Sequence, residues 1–340
     1  MHTDKEKNIS AEEFVDALLS EGTNIACDTT NETFRSQGDC LPPYYNQILY
    51  KRGQELYKKY MYSMDLIHAF GVLVLYSIPT ALNVALSATG SSFKLYETHI
   101  RQLRTNLNIQ SFYYSDLRPN SNAWKTLKKI KMKHNKVSKG SSNKSLNPLT
   151  QLDMAVAQFA FFGLGSIRAE FVGLQAVSEE DWKGLHHYWR VMGYLLGIEE
   201  RFNICSPPLD TSKKIAEYLV QKLILPEMEK KNPIYLNTTK VASLCFKPML
   251  LELETNCVVN YLYNLLKQRD VANMYVANYV DLKWYSRVYY KFFVFSLISL
   301  LKWRPYKILR NTLHRINMYL ITTFPSIPRL ECEIFDYLYL

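Results

Sequence analysis

Glycine and proline are scarce in this chain, with 12 glycines and 13 prolines among 340 residues. Both residue types mark turns and strand ends, so their scarcity argues against a protein built from many short strands. Hydrophobic residues make up 48% of the chain and charged residues 21%, which is typical of a folded protein. The sequence therefore predicts an all-α fold, and its length suits one large domain or two ordinary ones.

Cysteine pairs with metal-binding spacing are absent as well. The six cysteines are scattered and none forms a C-x-x-C pair, so a zinc site is not expected. Cys27 and Cys40 could form a disulfide only in an oxidising compartment. The sequence also lacks G-x-G-x-x-G, P-loop, G-x-S-x-G and H-E-x-x-H motifs. Dinucleotide-dependent hydride transfer, P-loop phosphoryl transfer and serine hydrolysis therefore have no support from these signatures.

Acidic residues are outnumbered, 31 against 41 lysines and arginines, which gives a net charge of +10. No zinc-finger or RNA-recognition signature accompanies this charge, so nucleic acid is not the expected partner. An anionic membrane surface or an anionic ligand fits the charge better. The charged start, MHTDKEKNIS, is not followed by an apolar segment, so no signal peptide is expected. The predicted location is intracellular, in the cell interior or at the ER or another membrane.

The helical pattern suggests three parts. Residues 1–45 form a polar lead-in with one short helix, for which Ser10 is the predicted N-cap. Residues 46–282 form the main helical domain. Residues 68–88, which carry no acidic, lysine or arginine side chain, are interpreted as buried core helices rather than as a membrane span. The lysine-rich helix that starts near Ser121 is followed by a predicted flexible loop over residues 137–149.

Residues 283–340 are predicted to form a helical tail. Residues 292–301 have no charged side chain and lie between Lys291 and Lys302. Aromatic and basic residues beside an apolar run are typical of a membrane interface, but ten residues are too few to span a bilayer. Two interpretations stay open: a terminal helix docked on the core, and a monotopic helix lying in the membrane surface.

The lysine-rich helix carries one histidine on its apolar face. At 3.6 residues per turn, Leu127, Ile130, His134 and Val137 fall on one side of the helix, and most of the lysines fall outside it. An imidazole in that position has to be neutral or paired, because the lysines disfavour a further positive charge. A neutral imidazole is a good metal or haem ligand. The alternative is a histidine that is hydrogen-bonded in the core, and periodicity alone favours that alternative.

Four segments appear in a fixed order between residues 101 and 203. They are RQLRT, WKTLKKIKMKHNKV, NPLTQLDMAVAQFAF and HHYWRVMGYLLGIEERFN. Together they resemble the MpaB-type oxygenase family, which includes the bacterial rubber oxygenases (latex-clearing proteins) and a fungal ER-bound oxygenase of mycophenolic acid biosynthesis. The last segment is the most specific match, and R-x-x-x-T alone is weak. The match covers about a third of the chain.

The resemblance implies a globin-like helical core that binds haem b, with His134 as the proximal ligand of the iron. It implies that Arg101 positions a haem propionate or the distal network, and that Thr105 hydrogen-bonds bound oxygen or a neighbouring side chain. Arg104 stands where rubber oxygenases have a lysine that can occupy the sixth iron position. A guanidinium stays protonated and has no free lone pair, so a distal site filled by water or empty at rest is expected.

Two departures from the family put the reaction in doubt. Rubber oxygenases have a glutamate base one helix before the arginine motif, whereas no Asp or Glu lies between Asp65 and Glu97 here. Ala157 stands where many relatives have a hydroxyl residue. Any allylic proton abstraction would therefore need another base.

Several other polar residues are given structural interpretations. His186 and His187 are the alternative ligands, but adjacent helical residues point about 100° apart, and His187 is expected to be a structural hydrogen bonder. Asp153 is expected to cap a helix or to form a salt bridge, with Arg190 as the candidate partner. Residues 199–201 are expected to form ion pairs.

The resulting hypothesis is a haem b-dependent oxygenase, an oxidoreductase that uses O₂ to cleave a carbon–carbon double bond of an apolar, isoprenoid-like substrate. The first alternative is a non-catalytic haem- or lipid-binding protein of the same fold. The second alternative is a helical membrane-surface protein without haem.

Overall fold

The structure is a computed structural model that describes residues 9–27, 41–83, 95–143, 148–250, 254–267, 270–276, 279–326, 328–330 and 332. Within these ranges the chain is helical, and the only β-type pairing is an isolated antiparallel bridge between Ala26 and Thr150. The predicted all-α class is therefore confirmed.

The α-helices that the structure describes are α1 (Ala11–Ser20), α2 (Gln47–Lys59), α3 (Met61–Leu75), α4 (Leu95–Tyr114), α5 (Asn122–Asn143), α6 (Gln151–Gln158), α7 (Leu164–Ile167), α8 (Glu179–Leu196), α9 (Leu209–Leu219), α10 (Leu225–Glu229), α11 (Pro233–Leu250), α12 (Thr255–Lys267), α13 (Trp284–Ile298) and α14 (Arg304–Thr323). A π-helical segment, Phe159–Gly163, joins α6 to α7. A second one, Val220–Ile224, joins α9 to α10.

Side-chain caps begin the helices where the sequence predicts them. Ser10 accepts a hydrogen bond from the backbone of Glu13, and the Glu13 carboxylate accepts one from the backbone of Ser10, which is a capping box. Ser178 caps α8 through the backbone N–H of Asp181. These contacts satisfy N–H groups that the first turn of a helix leaves unpaired.

Helix α5 extends further than the sequence analysis predicts. It continues to Asn143, so residues 137–143 are helical and not part of a loop. The polar run there contains one glycine, Gly140, and no proline. A single glycine weakens a helix by about 1 kcal/mol but does not end it. The predicted loop over residues 137–149 is therefore wrong over its first half.

Glycines set the closest helix contacts. A Cβ at Gly53 of α2 would lie 2.8 Å from the carbonyl oxygen of Gly184 in α8, and one at Gly184 would lie 2.8 Å from the Cβ of Arg52. A Cβ at Gly71 of α3 would lie 2.0 Å from the carbonyl oxygen of Ala160. Only residues without a side chain allow these backbones to approach so closely, and this approach holds α3 against the π-helical segment.

One hydrophobic core runs through all three predicted parts of the chain. It includes Val15 of α1, Phe70 of α3 and Phe293 of α13, each at most 2% exposed. Residues 68–83 contribute buried side chains to it, which agrees with the core interpretation of this stretch, while residues 84–88 lie outside the described ranges. The lead-in and the tail therefore pack on the main body, and the domain boundaries stay predictions.

Candidate functional site

A cavity of about 250 Å³ lies between α4 and α5 on one side and α6, the π-helical segment and α8 on the other. Its volume is slightly below the range of roughly 300–1,000 Å³ that is usual for small-molecule sites. Its walls are mostly apolar, with aromatic rings and methionines from four helices. The lining residues are Thr105, Asn108, Ile109, Phe112, Ile130, Lys133, His134, Met154, Ala157, Gln158, Phe161, Trp189, Met192, Gly193, Leu196 and Ile198.

His134 lies in the wall of this cavity. Along α5, Leu127 is buried and Ile130 is half-buried, and both precede His134 on the same face. The Nδ1 atom of His134 is buried and has no hydrogen-bond partner among the described residues. Burial lowers the pKa of the imidazole below its usual value, so the ring is neutral near pH 7. A neutral imidazole with an unused nitrogen is what a metal ligand requires.

The lysines of α5 divide into two groups. Lys125, Lys129, Lys133 and Lys136 are exposed, as the helical projection predicts, and Lys133 also lines the cavity. Lys131 is buried, and burial lowers its pKa to about 8. Lys131 was not among the residues predicted from the sequence to be buried, although its spacing of four from Leu127 places it on the buried side of the helix.

The arginine–threonine motif of α4 is only partly at this cavity. Thr105 lines it, and its hydroxyl donates a hydrogen bond to the backbone carbonyl of Arg101 over 3.1 Å. Arg104 is exposed. Neither Arg101 nor Arg104 lines the cavity. The structure thus brings Thr105 and His134 together and places the two arginines elsewhere on α4.

The opposite wall is built from the fourth segment of the sequence pattern. Trp189, Met192, Gly193 and Leu196 of α8 line the cavity. A Cβ at Gly193 would lie 2.7 Å from the Nε2 of Gln158, so glycine leaves room for this side-chain amide between α6 and α8. The other small residue of this pattern, Gly197, ends α8 in the left-handed region with φ 98°, where glycine is the usual residue.

Gln158 is buried and its amide is fully engaged. Its Nε2 donates to the carbonyl oxygen of Trp189 and to the side chain of Asn203, both over 2.8 Å. Its Oε1 accepts from the backbone N–H of Ile204 over 3.0 Å. Because these bonds use the polar atoms of this wall, the amide fixes the position of α8 rather than offering a binding group to the cavity.

A second, smaller chamber of about 20 Å³ adjoins this cavity. Thr105, Ile109 and Phe161 line both spaces. The chamber is also lined by Asp65 and His68 of α3, by Gln102 and Asn106 of α4, and by apolar side chains of α11. The sequence analysis did not single out Asp65 or His68 as site residues. The sequence feature that could have indicated them is a pair of ionisable residues, three positions apart, in an otherwise apolar helix.

Asp65 is fully buried and holds several hydrogen bonds. Its carboxylate accepts from the hydroxyl of Tyr57 over 2.6 Å, from Nε2 of Gln110 over 2.9 Å and from Nε2 of His314 over 2.8 Å. Burial opposes ionisation, but the hydrogen bond and the charge interaction with His314, helped by His68 and Tyr57, lower the pKa of Asp65 overall. Asp65 is therefore a paired carboxylate near neutral pH.

His68 is buried beside Asp65 without a hydrogen bond. Its Nδ1 lies 3.8 Å from Oδ1 of Asp65, which is too far for one. Neither ring nitrogen has a partner among the described residues. Burial lowers the pKa of His68 to about 4, although Asp65 acts in the opposite direction. The ring is neutral at pH 7, and the ring of Phe161 meets it edge-on with centroids 5.3 Å apart.

The remaining polar residues have structural partners. His187 Nε2 accepts the backbone N–H of Asn46 over 3.0 Å, as predicted, and His186 pairs with the hydroxyl of Ser212 over 2.9 Å. Asp153 caps α6 through Thr150. Its suggested pairing with Arg190 is wrong, because Arg190 pairs with Glu200.

The ion pairs expected at residues 199–201 are present. Arg190 meets Glu200 as described above, and Arg201 pairs with Glu199 over 2.9 Å and with Glu21 over 2.6 Å. Between 25% and 55% of each of these side chains is exposed to solvent, so each pair contributes little to stability. Cys40 lies outside the described residues, and with it the conceivable disulfide to Cys27.

The residue types around the larger cavity suit haem, and its walls would have to move apart to admit the group, because about 250 Å³ is less than the volume of a porphyrin. His134 provides one neutral imidazole, and the walls are apolar apart from a few polar side chains. Lys133 provides a cation that could pair with a carboxylate at the rim. Among the described residues, no group of three or more His, Cys, Asp or Glu side chains could hold a metal ion. A porphyrin supplies its own equatorial ligands, so a single axial histidine is sufficient.

No family model matches this chain, and no curated protein is similar to it in sequence. A solved structure, described as latex clearing protein LCP in the closed state, is similar to it in fold. The TM-score is 0.53, the sequence identity is 16%, and the match covers 90% of this chain and 85% of the other. The all-α fold is thus that of latex clearing protein over most of both chains, and the expected fold is confirmed.

Proposed function

We propose that this protein is a haem b-dependent oxygenase that acts on an apolar, isoprenoid-like substrate in the His134 cavity. The observation that carries the proposal is the neutral, unpartnered imidazole of His134 in the wall of a mostly apolar cavity. The fold likeness to latex clearing protein and the four sequence segments support the same function. When bound, haem supplies the activation of O₂ for cleavage of a carbon–carbon double bond.

The chain itself would hold and orient the reactants. His134 would hold the iron of the haem, and Lys133 would pair with one of its carboxylates. Phe112, Phe161 and Trp189 would enclose an apolar substrate and exclude water from it. The hydroxyl of Thr105 lies at the cavity wall and could turn from its backbone acceptor to donate a hydrogen bond into the cavity.

The test is a haem titration of the purified protein. We expect a Soret band from the wild type and a large loss of haem affinity in His134→Gly, because the axial ligand is removed. Added imidazole should restore the Soret band of this variant by entering the space left by the side chain, which separates loss of ligation from misfolding. His186→Ala and His187→Ala test the alternative ligands and should keep the band. Full haem binding by His134→Gly without imidazole would disprove the assignment.

Oxygen consumption with a polyprenyl substrate then separates the enzyme from the non-catalytic alternative. An oxygenase consumes O₂ only when substrate is present and gives carbonyl products. A haem- or lipid-binding protein of the same fold would show the Soret band or bind the substrate without consuming O₂. Arg101 does not line the cavity, so Arg101→Ala is expected to lower haem occupancy or activity much less than loss of His134 does, and an unchanged variant would show that Arg101 has no part in haem binding.

The C-terminal helices favour a second role, association with an anionic membrane surface. Helix α13 buries Tyr290, Phe293 and Leu297 on one face. Four apolar side chains on its opposite face are 44–78% exposed, namely Trp284, Val288, Phe292 and Phe295. Helix α14 exposes a further stripe, formed by Leu309, Leu313, Ile316 and Leu320. Exposed apolar stripes of this kind are typical of protein–protein or membrane contacts.

The charge of these helices supports an anionic membrane surface as the partner. Residues 283–330 contain nine lysines and arginines and no Asp or Glu. Exposed Lys283, Arg287 and Lys291 accompany the apolar stripe of α13. Basic residues near an anionic bilayer contribute about 1 kcal/mol each, and the apolar side chains can enter the interface. Within the described residues, no helix is both long and apolar enough to cross a bilayer.

Vesicle sedimentation tests this role. The wild type should bind vesicles that contain phosphatidylserine and bind neutral phosphatidylcholine vesicles much less. Exchange of Trp284 and Phe292 for serine should reduce binding at least tenfold. Ile48→Ser, which removes an exposed apolar side chain from α2, is the matched control. Equal sedimentation of the wild type and the double variant would refute the membrane surface as the partner.

A further inference from the structure

Three polar atoms at the small chamber have no hydrogen-bond partner among the described residues. They are Nδ1 and Nε2 of His68 and Oδ1 of Asn106. His68 is only 4% exposed, and both residues line the chamber. Polar groups that are buried without partners destabilise a protein. Their convergence on one space indicates that the space receives a polar group.

The size of the chamber limits that group. Its volume of about 20 Å³ accommodates a single non-hydrogen group of the size of water. A carboxylate, a phosphate or a ring would not fit without displacing the walls. The apolar side chains Phe246, Met249 and Leu250 close the chamber on the α11 side. A hydroxyl oxygen has the right size.

The charges around the chamber favour a ligand group that is neutral. The negative charge of Asp65 already has donors from Tyr57, Gln110 and His314. A neutral His68 offers one N–H donor and one acceptor nitrogen, and Oδ1 of Asn106 is an acceptor. A group that both donates and accepts a hydrogen bond, as a hydroxyl does, satisfies these atoms best. An anion would meet the negative charge of Asp65, and a cation would have to replace donors that Asp65 already holds.

The position of the chamber links it to the larger cavity. Among the described residues, Thr105, Ile109 and Phe161 stand in the walls of both. The ring of Phe161 stacks on Trp189 on the cavity side, with centroids 5.1 Å apart, and meets His68 on the chamber side. A ligand whose apolar body fills the cavity can therefore place one end in the chamber once the ring of Phe161 rotates out of the wall between them.

We propose that this chamber binds the hydroxyl end of an alcohol whose apolar body lies in the His134 cavity, and that His68 and Asn106 recognise it. The substrate class of the protein is then a long-chain or prenyl alcohol rather than a pure hydrocarbon. The inference rests on the proposed function in taking the His134 cavity as the substrate site.

The test compares geraniol with the hydrocarbon of the same carbon skeleton. Dissociation constants are measured by calorimetry on the full-length wild type, His68→Phe, Asn106→Ala and His99→Phe. The readout is the dissociation constant of the hydrocarbon divided by that of geraniol. A variant that changes only the apolar contacts changes both constants alike, so the ratio reports on the hydroxyl group alone. His99→Phe is the matched control, because His99 is buried on α4 and lines neither space.

We expect this ratio to fall about tenfold in His68→Phe and in Asn106→Ala, since the loss of about one good hydrogen bond corresponds to that factor. The ratio should stay unchanged in His99→Phe. Asn106 is half-buried, so Asn106→Ala keeps the test decisive if His68→Phe does not fold. A wild-type ratio that neither variant changes would overturn the proposal and leave water as the occupant of the chamber.

The haem assignment and the hydroxyl site in the chamber can be refuted independently of each other. The ratio is measured with and without bound haem, and the Soret band is recorded on the same samples. A missing Soret band with an intact preference for geraniol would refute the haem assignment alone. A Soret band without any preference for the alcohol would refute the chamber alone.

Discussion

Nε2 of His314 donates a hydrogen bond to Oδ2 of Asp65 over 2.8 Å, and this contact joins α14 to α3 across 249 positions of the chain. Both side chains are at most 2% exposed. The C-terminal helix is therefore attached to the core by a buried polar contact as well as by Met318 and Ile321. A carboxylate buried in this way depends on its donors, because few other groups could replace them.

The first prediction concerns this contact. His314→Ala should lower the free energy of unfolding by roughly 3–5 kcal/mol, because it leaves the charge of Asp65 buried with fewer donors. Urea unfolding followed by circular dichroism measures the change. Leu313→Ala, at the neighbouring position but 43% exposed, should cost less than about 1 kcal/mol. Equal losses in the two variants would show that Asp65 does not need His314.

The second prediction concerns the pH dependence of stability. The pKa of His68 is about 4 in the folded protein, because burial disfavours the charged ring, and roughly 6.5 in the unfolded chain. The unfolded state therefore binds more protons between these values, so stability is lost as the pH falls through this window. His68→Phe removes this protonation. The free energy of unfolding of the variant should therefore decrease less than that of the wild type between pH 6 and pH 5, by about 1.4 kcal/mol per pH unit.

Unfolding of the wild type and of His68→Phe at several pH values provides this comparison. Asp65, whose folded pKa is lowered, contributes only at more acidic pH, where its carboxylate becomes protonated. The difference between the two proteins should therefore appear above pH 4.5. Parallel pH profiles from pH 7 to pH 5 would contradict the buried, neutral state of His68.

The third prediction concerns the contact of α3 with the π-helical segment. Gly71→Ala should destabilise the protein by about 3 kcal/mol or more, since the new Cβ would lie 2.0 Å from a backbone carbonyl oxygen. Thermal unfolding measures the effect. In Gly165→Ala the new Cβ would meet only the side chain of Ile67, at 3.1 Å, so that variant is the milder control. Similar midpoints for both variants would show that the helices can move apart without cost.

The fourth prediction concerns the wall between the two spaces. Phe161→Ala removes the ring that stacks on Trp189, so it should join the cavity and the chamber and favour bulkier ligands. The loss of stability should be less than about 3 kcal/mol, because Phe161 is only partly buried. Phe162→Ala is the control, because Phe162 is buried but lines neither space. Calorimetry with ligands of increasing size should show a changed preference only in Phe161→Ala.

The local structure of this protein follows closely from its sequence. The caps of Ser10 and Ser178 depend on a hydroxyl and on backbone N–H groups three positions away, so they could be predicted without the fold. The face of α5 that bears His134 follows from helical periodicity in the same way. The extent of α5 could not be predicted, because polar residues and one glycine are compatible with both a loop and a helix.

The partners of the polar residues depended on the tertiary structure. Asp153 and Arg190 looked like an internal pair, yet each has a different partner. The burial of Lys131 also depends on what packs against its helix. Opposite charges in a sequence do not determine which helices approach each other.

The sequence alone determined the helices, their caps and the apolar side of the helix that carries His134, because these features depend on residues within a few positions of each other. Only the tertiary structure decided that His68 and Asn106 face one chamber and that His314 reaches Asp65. Those contacts join helices that are distant along the chain, and they form because burying the apolar faces of those helices brings their polar residues together.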